Sequence, residues 1–357
     1  MKKSVLSVLF LLPLVMACSQ PPNYENYDVQ IPPAFELANI MVALTEFSRQ
    51  DDNIVKKGTD YHEAVVNYFL PYQNHPAIKK LNQIFNGNRN ENYNAYHDWR
   101  TGSYEAKFVG KQLKFRSLIR VRNTFKKHGD LIEDFVRSSS FLEFYDEHKP
   151  LFHRYVNQYK SAVSIGDMWQ WMELQFPQRY HGYKIVLSPL IGGFHNTVRT
   201  KSGKETIMFV NVPNAFVNQR QLSSIEKGNM VRTVLTEIDH NYVNPISDNW
   251  RSAINDGLAN LDCWNQNIGG YDSPVRTFNE YMTWAVFNIY LKEKFDAKTY
   301  EEVNSLQANF MADRRGFVKF REFNSYLLAL YTNKNKSEKI PDLYPQAIEW
   351  FNQQDCD

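Results

Sequence analysis

The sequence has few cysteines, no long apolar run and no excess of one charge. Three cysteines occur in 357 residues. None belongs to a Cys-x-x-Cys pair or a cysteine–histidine cluster, which excludes a zinc-finger-type structural site. The 41 Lys and Arg residues nearly balance 39 Asp and Glu, so we expect no nucleic-acid partner. Mean hydropathy is −0.52, which argues against several membrane spans. A serine hydrolase has no support either, because no G-x-S-x-G elbow is present.

The hydrophobic and aromatic content of the chain is that of a folded protein rich in aromatic residues. Hydrophobic residues make up 43% of the chain and aromatic residues 15%. This content predicts a large buried core and excludes a largely disordered chain. Most aromatic rings should fill that core, although exposed rings can stack on sugars or peptides.

The N-terminus has the pattern of an export signal. Lys2 and Lys3 precede a short apolar run over residues 5–15, which is too short to span a bilayer. The run ends at Ala17-Cys18, and this ending resembles the lipobox of bacterial lipoproteins. We therefore predict a signal peptide at 1–17 and a lipid-anchored Cys18, with ordinary cleavage near Ala17 as the alternative. Ser19 favours the outer membrane of a Gram-negative cell envelope, where acyl chains would provide the membrane contact.

The chain after the signal divides into a tether and one domain. Residues 18–33 are polar and contain four prolines, which predicts a lipidated tether. Residues 34–357 should form a single domain with an N-terminal helical layer. An Asn-rich loop is predicted at 87–94, and strands at 183–187 and 206–212, where apolar β-formers end at proline. Helical periodicity predicts helices at 34–48, 61–70, 76–85, 113–128, 130–160, 222–242, 250–263, 278–295, 300–312, 317–331 and 342–351. The fold class is therefore α+β, mostly helical with one small mixed sheet.

The helix predicted at 222–242, which Pro245 should stop, carries a polar stripe opposite an apolar face. The apolar face contains Val234, Leu235 and Ile238. Helical spacing places the polar residues on the other side. They are Thr233, Thr236, Glu237, His240 and Asn244. A stripe of this kind beside a sheet requires hydrogen-bond partners, water or a metal.

This stripe is one residue short of H-E-x-x-H, in which two histidines bind zinc and the Glu activates water. Thr236 stands at the position of the first His, Glu237 at that of the base, and His240 at that of the second ligand. Glu280, on a later predicted helix, has the place of the third ligand of gluzincin-type metallopeptidases. The strand at 206–212 would be the edge strand that receives an extended substrate.

The order of several blocks resembles a family of uncharacterised lipoproteins from anaerobic Gram-negative bacteria, which carry a domain of unknown function with a zincin-like helix. The resemblance covers roughly residues 30–350. It implies a zincin-like, peptidase-like fold and, where a site is complete, zinc or another divalent metal. The matching blocks are FELANI at 35–40, HPAI at 75–78, YKIVLSPL at 183–190, the helix ending His240…VNP at 243–245, and RGF at 315–317.

Three functional hypotheses remain open on the sequence alone. In the first, a metallopeptidase hydrolyses a peptide or protein substrate, with His240 and Glu280 holding the metal and Glu237 as base or third ligand. In the second, the fold is kept in a non-catalytic binding or scaffold lipoprotein. In the third, Trp169 and Trp171 stack on glycans, although core packing is the commoner role of such residues.

A loop histidine and a disulfide are predicted only in outline. His195, in a Gly-rich loop before the strand at 206–212, could approach the helix site, although a loop histidine is more often solvated. A disulfide between Cys263 and Cys356 is permitted in an oxidising compartment, but the sequence does not establish it.

Overall fold

The computed structural model describes residues 23–266 and 271–354, and it has the predicted α+β class. The strands are β1 (Tyr27–Gln30), β2 (Ala106–Val109), β3 (Gln112–Phe115), β4 (Gly182–Ser188), β5 (Asn196–Arg199) and β6 (Glu205–Asn211). The helices of the N-terminal half are α1 (Pro33–Ala43), α2 (Glu46–Gln50), α3 (Asp60–Phe69), α4 (Pro76–Ile84), α5 (Arg89–Ser103), α6 (Thr124–Lys127), α7 (Gly129–Ser138), α8 (Phe141–Ala162) and α9 (Ile165–Gln175). Those of the C-terminal half are α10 (Asn214–Val217), α11 (Ser224–Asn249), α12 (Arg251–Gly257), α13 (Asp262–Asn265), α14 (Pro274–Lys294), α15 (Ala297–Asn309), α16 (Phe320–Asn333) and α17 (Tyr344–Asn352).

The main sheet is mixed and four-stranded, in the order β1-β4-β6-β5. β1, β4 and β6 are parallel, and β5 pairs antiparallel with β6. The prediction that 206–212 forms the edge strand is therefore wrong, because β6 is internal and the edge is β5. The sequence of β6 explains its internal position. Residues 207–210 are all apolar and fully buried, as in a strand covered on both faces.

The prediction of a single sheet is wrong, because β2 and β3 form a second, two-stranded sheet. This hairpin occupies part of the segment predicted as a helix at 113–128. β2 and β3 pair antiparallel around Gly110-Lys111, and Gly110 has φ +58°. This positive φ is what a tight hairpin turn requires. The period of two in β3, where only Leu113 is buried, competes with the helical period, and only α6 remains helical.

The predicted loop at 87–94 is also wrong, because asparagine there acts as a helix cap. The Asn88 side chain accepts a hydrogen bond from the Glu91 backbone N–H, and the Glu91 carboxylate accepts one from the Asn88 N–H. This capping box starts α5, which continues to Ser103. Likewise Thr45 caps α2 and divides the helix predicted at 34–48.

Pro245 does not stop α11, which continues to Asn249. A proline inside a helix leaves the carbonyl four residues earlier without its usual donor. Here that carbonyl belongs to Asn241, and the buried Tyr180 hydroxyl donates to it at 2.9 Å. A tertiary contact therefore replaces the missing helical hydrogen bond.

Part of the predicted tether belongs to the fold. β1 lies within residues 18–33 and pairs in register with β4, where Tyr27 faces Tyr183. Tyr24 packs edge-on against Trp169 at 5.2 Å, and its hydroxyl donates to Glu173 Oε2 at 3.3 Å. The predicted signal peptide, Cys18 and the rest of the tether up to residue 22 lie outside the described residues.

The remaining predicted elements agree with the structure to within a few residues, except that 130–160 divides into α7 and α8 at Ser140 (φ +50°) and that 250–263 is helical only in α12 and α13. The long helix α11 packs against α14 and also contacts β6, so both helices meet beside the sheet. Within residues 23–266 and 271–354, the structure contains no helix both long and apolar enough to cross a membrane.

Candidate functional site

The polar stripe lies on α11, a helix whose N-terminus is capped and whose apolar side is buried. Ser223 and Glu226 form a capping box, in which the Ser223 hydroxyl accepts from the Glu226 backbone N–H at 3.2 Å. Leu235 and Ile238 are fully buried and hold the other side of the helix in the core. Glu237 and His240, one turn apart, remain partly exposed.

α14 places Glu280 opposite His240. His240 Nε2 lies 3.8 Å from Glu280 Oε2, and the Glu280 side chain is 7% exposed. His240 Nδ1 lies 3.3 Å from the Asn244 side-chain oxygen, on the next turn of α11. Donation from Nδ1 to Asn244 orients the ring and leaves Nε2 facing the carboxylate.

The second oxygen of Glu280 is already occupied by protein donors. Arg315 Nη1 donates to Oε1 at 2.5 Å, and Trp284 Nε1 donates to the same atom at 2.9 Å. Burial raises the pKa of the Glu280 carboxyl, but Arg315, His240 and Trp284 together outweigh burial, and the pKa lies below its ordinary value. Glu280 is therefore an ionised carboxylate with one oxygen engaged and the other facing His240.

Arg315 reaches this position through an unusual turn. Residues Phe310–Arg314 form a π-helical turn after α15, and Gly316 follows Arg315 with φ +67°. Such π turns often occur at functional sites. The turn directs Arg315 back to Glu280 and to the Tyr271 hydroxyl, to which Nη2 also donates.

A second guanidinium, that of Arg232, approaches the same site from α11. The Arg232 guanidinium carbon lies 4.7 Å from the centre of the Trp284 ring, and that of Arg315 lies 5.2 Å from it. Both distances are those of cation–π contacts. Two cations therefore stack on the indole that donates to Glu280.

Glu237 has a pKa that is raised toward neutral pH. Burial raises its pKa to about 6, and the nearby Glu280 charge adds to the rise, while His240, Arg100 and Arg232 oppose it. A carboxyl with this pKa can accept or donate a proton near neutral pH. Asp239 lies off the stripe, has both carboxylate oxygens buried without a hydrogen-bond partner, and has a pKa that burial raises well above the ordinary value.

Thr236 does not replace the missing histidine. Its hydroxyl donates to the Arg232 backbone oxygen at 2.9 Å, within α11, and the residue is 6% exposed. His195, the loop residue predicted in outline, does lie near the site. Burial, followed by the charges of Arg232 and Arg100, lowers its pKa to about 3, so the ring is neutral.

The predicted ligands fit a metal only in part. The His240–Glu280 separation suits two ligands of one ion, because bonds of about 2.0–2.2 Å bring ligand atoms that close. Among the described residues, however, no group of three His, Cys, Asp or Glu side chains is placed to hold a metal. The arrangement does not match a three-ligand zinc site, and the Arg232 and Arg315 cations oppose a divalent ion electrostatically.

Sequence reasoning found Glu237, His240 and Glu280 but missed Arg232 and Arg315. Arg232 precedes the stripe residue Thr233, and helical spacing could have included it. Arg315 belongs to the RGF block at 315–317, which gave no indication of its contact with Glu280.

The glycan-stacking hypothesis is wrong for the tryptophans on which it depended. Trp169 is 0% exposed and Trp171 is 3% exposed. Their indole N–H groups donate to Glu173 and Glu293, which is the usual requirement of a buried tryptophan. Cys263 is disulfide-bonded, and the other cysteines of the sequence, Cys18 and Cys356, lie outside the described residues.

Comparisons with known proteins do not place the chain in a family. No family model matches it, and no curated protein or solved structure matches at a significant level. The site must therefore be interpreted from its own geometry.

Proposed function

We propose that this chain is a lipid-anchored protein of the cell envelope, with a zincin-like domain that binds a ligand or partner and does not hydrolyse it. The observation that carries the proposal is the 2.5 Å contact between Arg315 and Glu280. It places a fixed guanidinium on the carboxylate that a metallopeptidase would use as a ligand. Arg232 adds a second cation beside Trp284.

The zincin-like part of the proposal is supported by the order and placement of elements. A mixed sheet with an antiparallel edge strand precedes the long helix α11, and the Glu237–His240 pair of α11 faces a glutamate on α14. The lipid anchor is supported by the Ala17-Cys18 sequence after the short apolar run.

Metal analysis of the purified protein tests the proposal. We expect wild type and His240→Ala to contain equally little zinc, iron or manganese after purification in metal-supplemented buffer. His153→Ala is a matched control, because His153 is exposed on α8. A stoichiometric metal that His240→Ala loses and His153→Ala keeps would overturn the proposal.

A metal-dependent peptidase is the second candidate, and the 3.8 Å separation between His240 and Glu280 favours it. Glu237, with a pKa of about 6, would be its proton acceptor or third ligand. This candidate predicts hydrolysis of a fluorogenic casein substrate that chelator abolishes and that Glu237→Gln removes. Absence of hydrolysis from metal-loaded wild type would end it.

A further inference from the structure

A cavity of about 190 Å³ lies beside the candidate site, between the end of β6 and the first half of α11. It combines polar side chains, several of them asparagines, with an apolar wall. Its lining includes Tyr159, Asn214, Leu222, Glu226, Met230 and Arg232. Arg232 is the lining residue that also contacts Trp284 of the candidate site.

Arg232 places on the cavity wall a positive charge that forms no ion pair with a carboxylate of the described residues. Its Nε is buried and has no hydrogen-bond partner, and Nη2 donates only to the neutral Thr233 hydroxyl at 3.1 Å. Across the part of the chain that the structure describes, no carboxylate oxygen lies within 4.0 Å of this guanidinium. Glu237 and Glu280 act on this charge from the neighbouring site without forming an ion pair with it. A buried guanidinium that lacks a directly paired carboxylate would stabilise an anion in the cavity.

The one carboxylate on the cavity wall does not neutralise Arg232, because it is already paired. Glu226 accepts two hydrogen bonds from Arg220, one of them at 2.6 Å from Nη1, and it also accepts from the backbone N–H of Ser223. The Arg220 hydrogen bonds and the cap lower the pKa of Glu226 to about 2. Its charge is therefore balanced outside the cavity.

Other groups behind the cavity add positive potential. Lys56 Nζ donates to the Val212 backbone oxygen, between the lining residues Asn211 and Pro213. His195 has a buried Nε2 without a partner and is kept neutral by burial and by the charges of Arg232, Arg100 and Lys56. Burial is the main cause of this low pKa, and the three cations act in the same direction.

We propose that this cavity binds a small carboxylate with an apolar body, about the size of one amino acid, and that Arg232 pairs with the carboxylate. The proposal rests on the binding function proposed above and names its ligand class. The planar guanidinium matches a carboxylate in geometry. A cavity of about 150 Å³ accommodates benzene and drug-sized ligands need about 300 Å³ or more, so this volume suits a single side chain with its carboxyl group. Tyr159, Leu222 and Met230 would contact the apolar body.

Calorimetric titration of the full chain with N-acetyl-leucine, compared with N-acetyl-leucine amide, tests the proposal. We expect the acid to bind and the amide to bind about tenfold or more weakly, because only the acid carries the charge that pairs with Arg232. Arg232→Met should weaken binding of the acid to the level of the amide. Arg276→Met is the matched control, because Arg276 is exposed at the start of α14, pairs with Asp272 just before that helix, and does not line the cavity.

A second variant keeps the test valid if Arg232→Met fails to fold. Asn214 is exposed at the cavity mouth, so Asn214→Trp should block entry without disturbing the core. Equal binding of acid and amide, unchanged binding to either variant, or no binding of the acid to metal-free wild type would overturn the proposal. The last result would leave the metal analysis unaffected, so failure of the ligand class is distinct from failure of the proposed function.

Such a carboxylate could be the C-terminus of a peptide or a free small molecule. Titration with a hexapeptide that ends in leucine distinguishes these two sources. Binding of the free-acid hexapeptide, with loss on C-terminal amidation, indicates recognition of a peptide C-terminus. Binding of N-acetyl-leucine alone indicates a free small carboxylate. Both outcomes require Arg232 and therefore support the cavity as the site.

Discussion

The Arg315–Glu280 pair provides the most demanding test of the site geometry. Glu280 is 7% exposed and Arg315 21% exposed, so removal of one partner leaves a charge that water reaches poorly. Loss of one partner of a buried pair costs about 3–5 kcal/mol, and the residual exposure of Arg315 favours the lower end, about 3 kcal/mol. We therefore expect Arg315→Met, which keeps an apolar stem on Trp284, to lower the free energy of unfolding by about 3 kcal/mol. For a chain of this length the melting temperature would fall by about 4 °C.

Urea unfolding of four proteins measures this coupling: wild type, Arg315→Met, Glu280→Gln and the double variant. The double variant should lose about 2 kcal/mol less than the sum of the single variants, because neither charge then remains alone. Arg321→Met is the control, since its partner Asp313 is 60% exposed and surface pairs contribute about 0–1 kcal/mol. Two results would refute this reasoning. One is that Arg315→Met lowers the free energy of unfolding no more than Arg321→Met does. The other is that the losses of the two single variants add to that of the double variant.

Three further predictions concern Glu237, Tyr180 and Cys18. The folded pKa of Glu237, about 6, exceeds the ordinary value of 4.5, so its protonation favours the folded state and this stability is lost as pH rises through 6. Glu237→Gln should raise the free energy of unfolding by about 1–2 kcal/mol at pH 7.5 and by almost nothing below pH 4.5. A difference between variant and wild type that does not change with pH would contradict this. Tyr180→Phe should cost about 1–3 kcal/mol in urea unfolding by leaving the Asn241 carbonyl unpaired, whereas Tyr326→Phe, whose hydroxyl makes an exposed 3.4 Å contact, should cost little. Cys18→Ser should abolish palmitate labelling and move the protein from the membrane to the soluble fraction, while Cys263→Ser should not; a membrane-bound Cys18→Ser protein would refute lipid anchoring at this residue.

The parts of the fold that were predictable are those with a local cause. The apolar run of β6 and the periodic helices α3, α4 and α14 are specified by spacing and by proline or threonine at their ends. Glu237 and His240 were found because four-residue spacing places side chains on one helical face. Glu280 was found only through the resemblance to a peptidase helix.

The parts that were missed depend on contacts distant in sequence. Continuation of α11 through Pro245 requires the hydroxyl of Tyr180, which is 61 residues away from its acceptor. The position of β5 as edge strand follows from pairing with β6, because its own residues are only partly buried. Arg315 reaches Glu280 through a π turn, a conformation too rare for local sequence to predict.

The early attachment of Tyr24 to Trp169 determines how far an anchored domain could move from its bilayer. If acyl chains are joined to Cys18, only the five residues 19–23 separate the lipid from the first fixed side chain. Fully extended, that segment spans at most about 18 Å. The folded body would therefore rest against the lipid headgroups, and any molecule that it captures would have to diffuse to the bilayer surface.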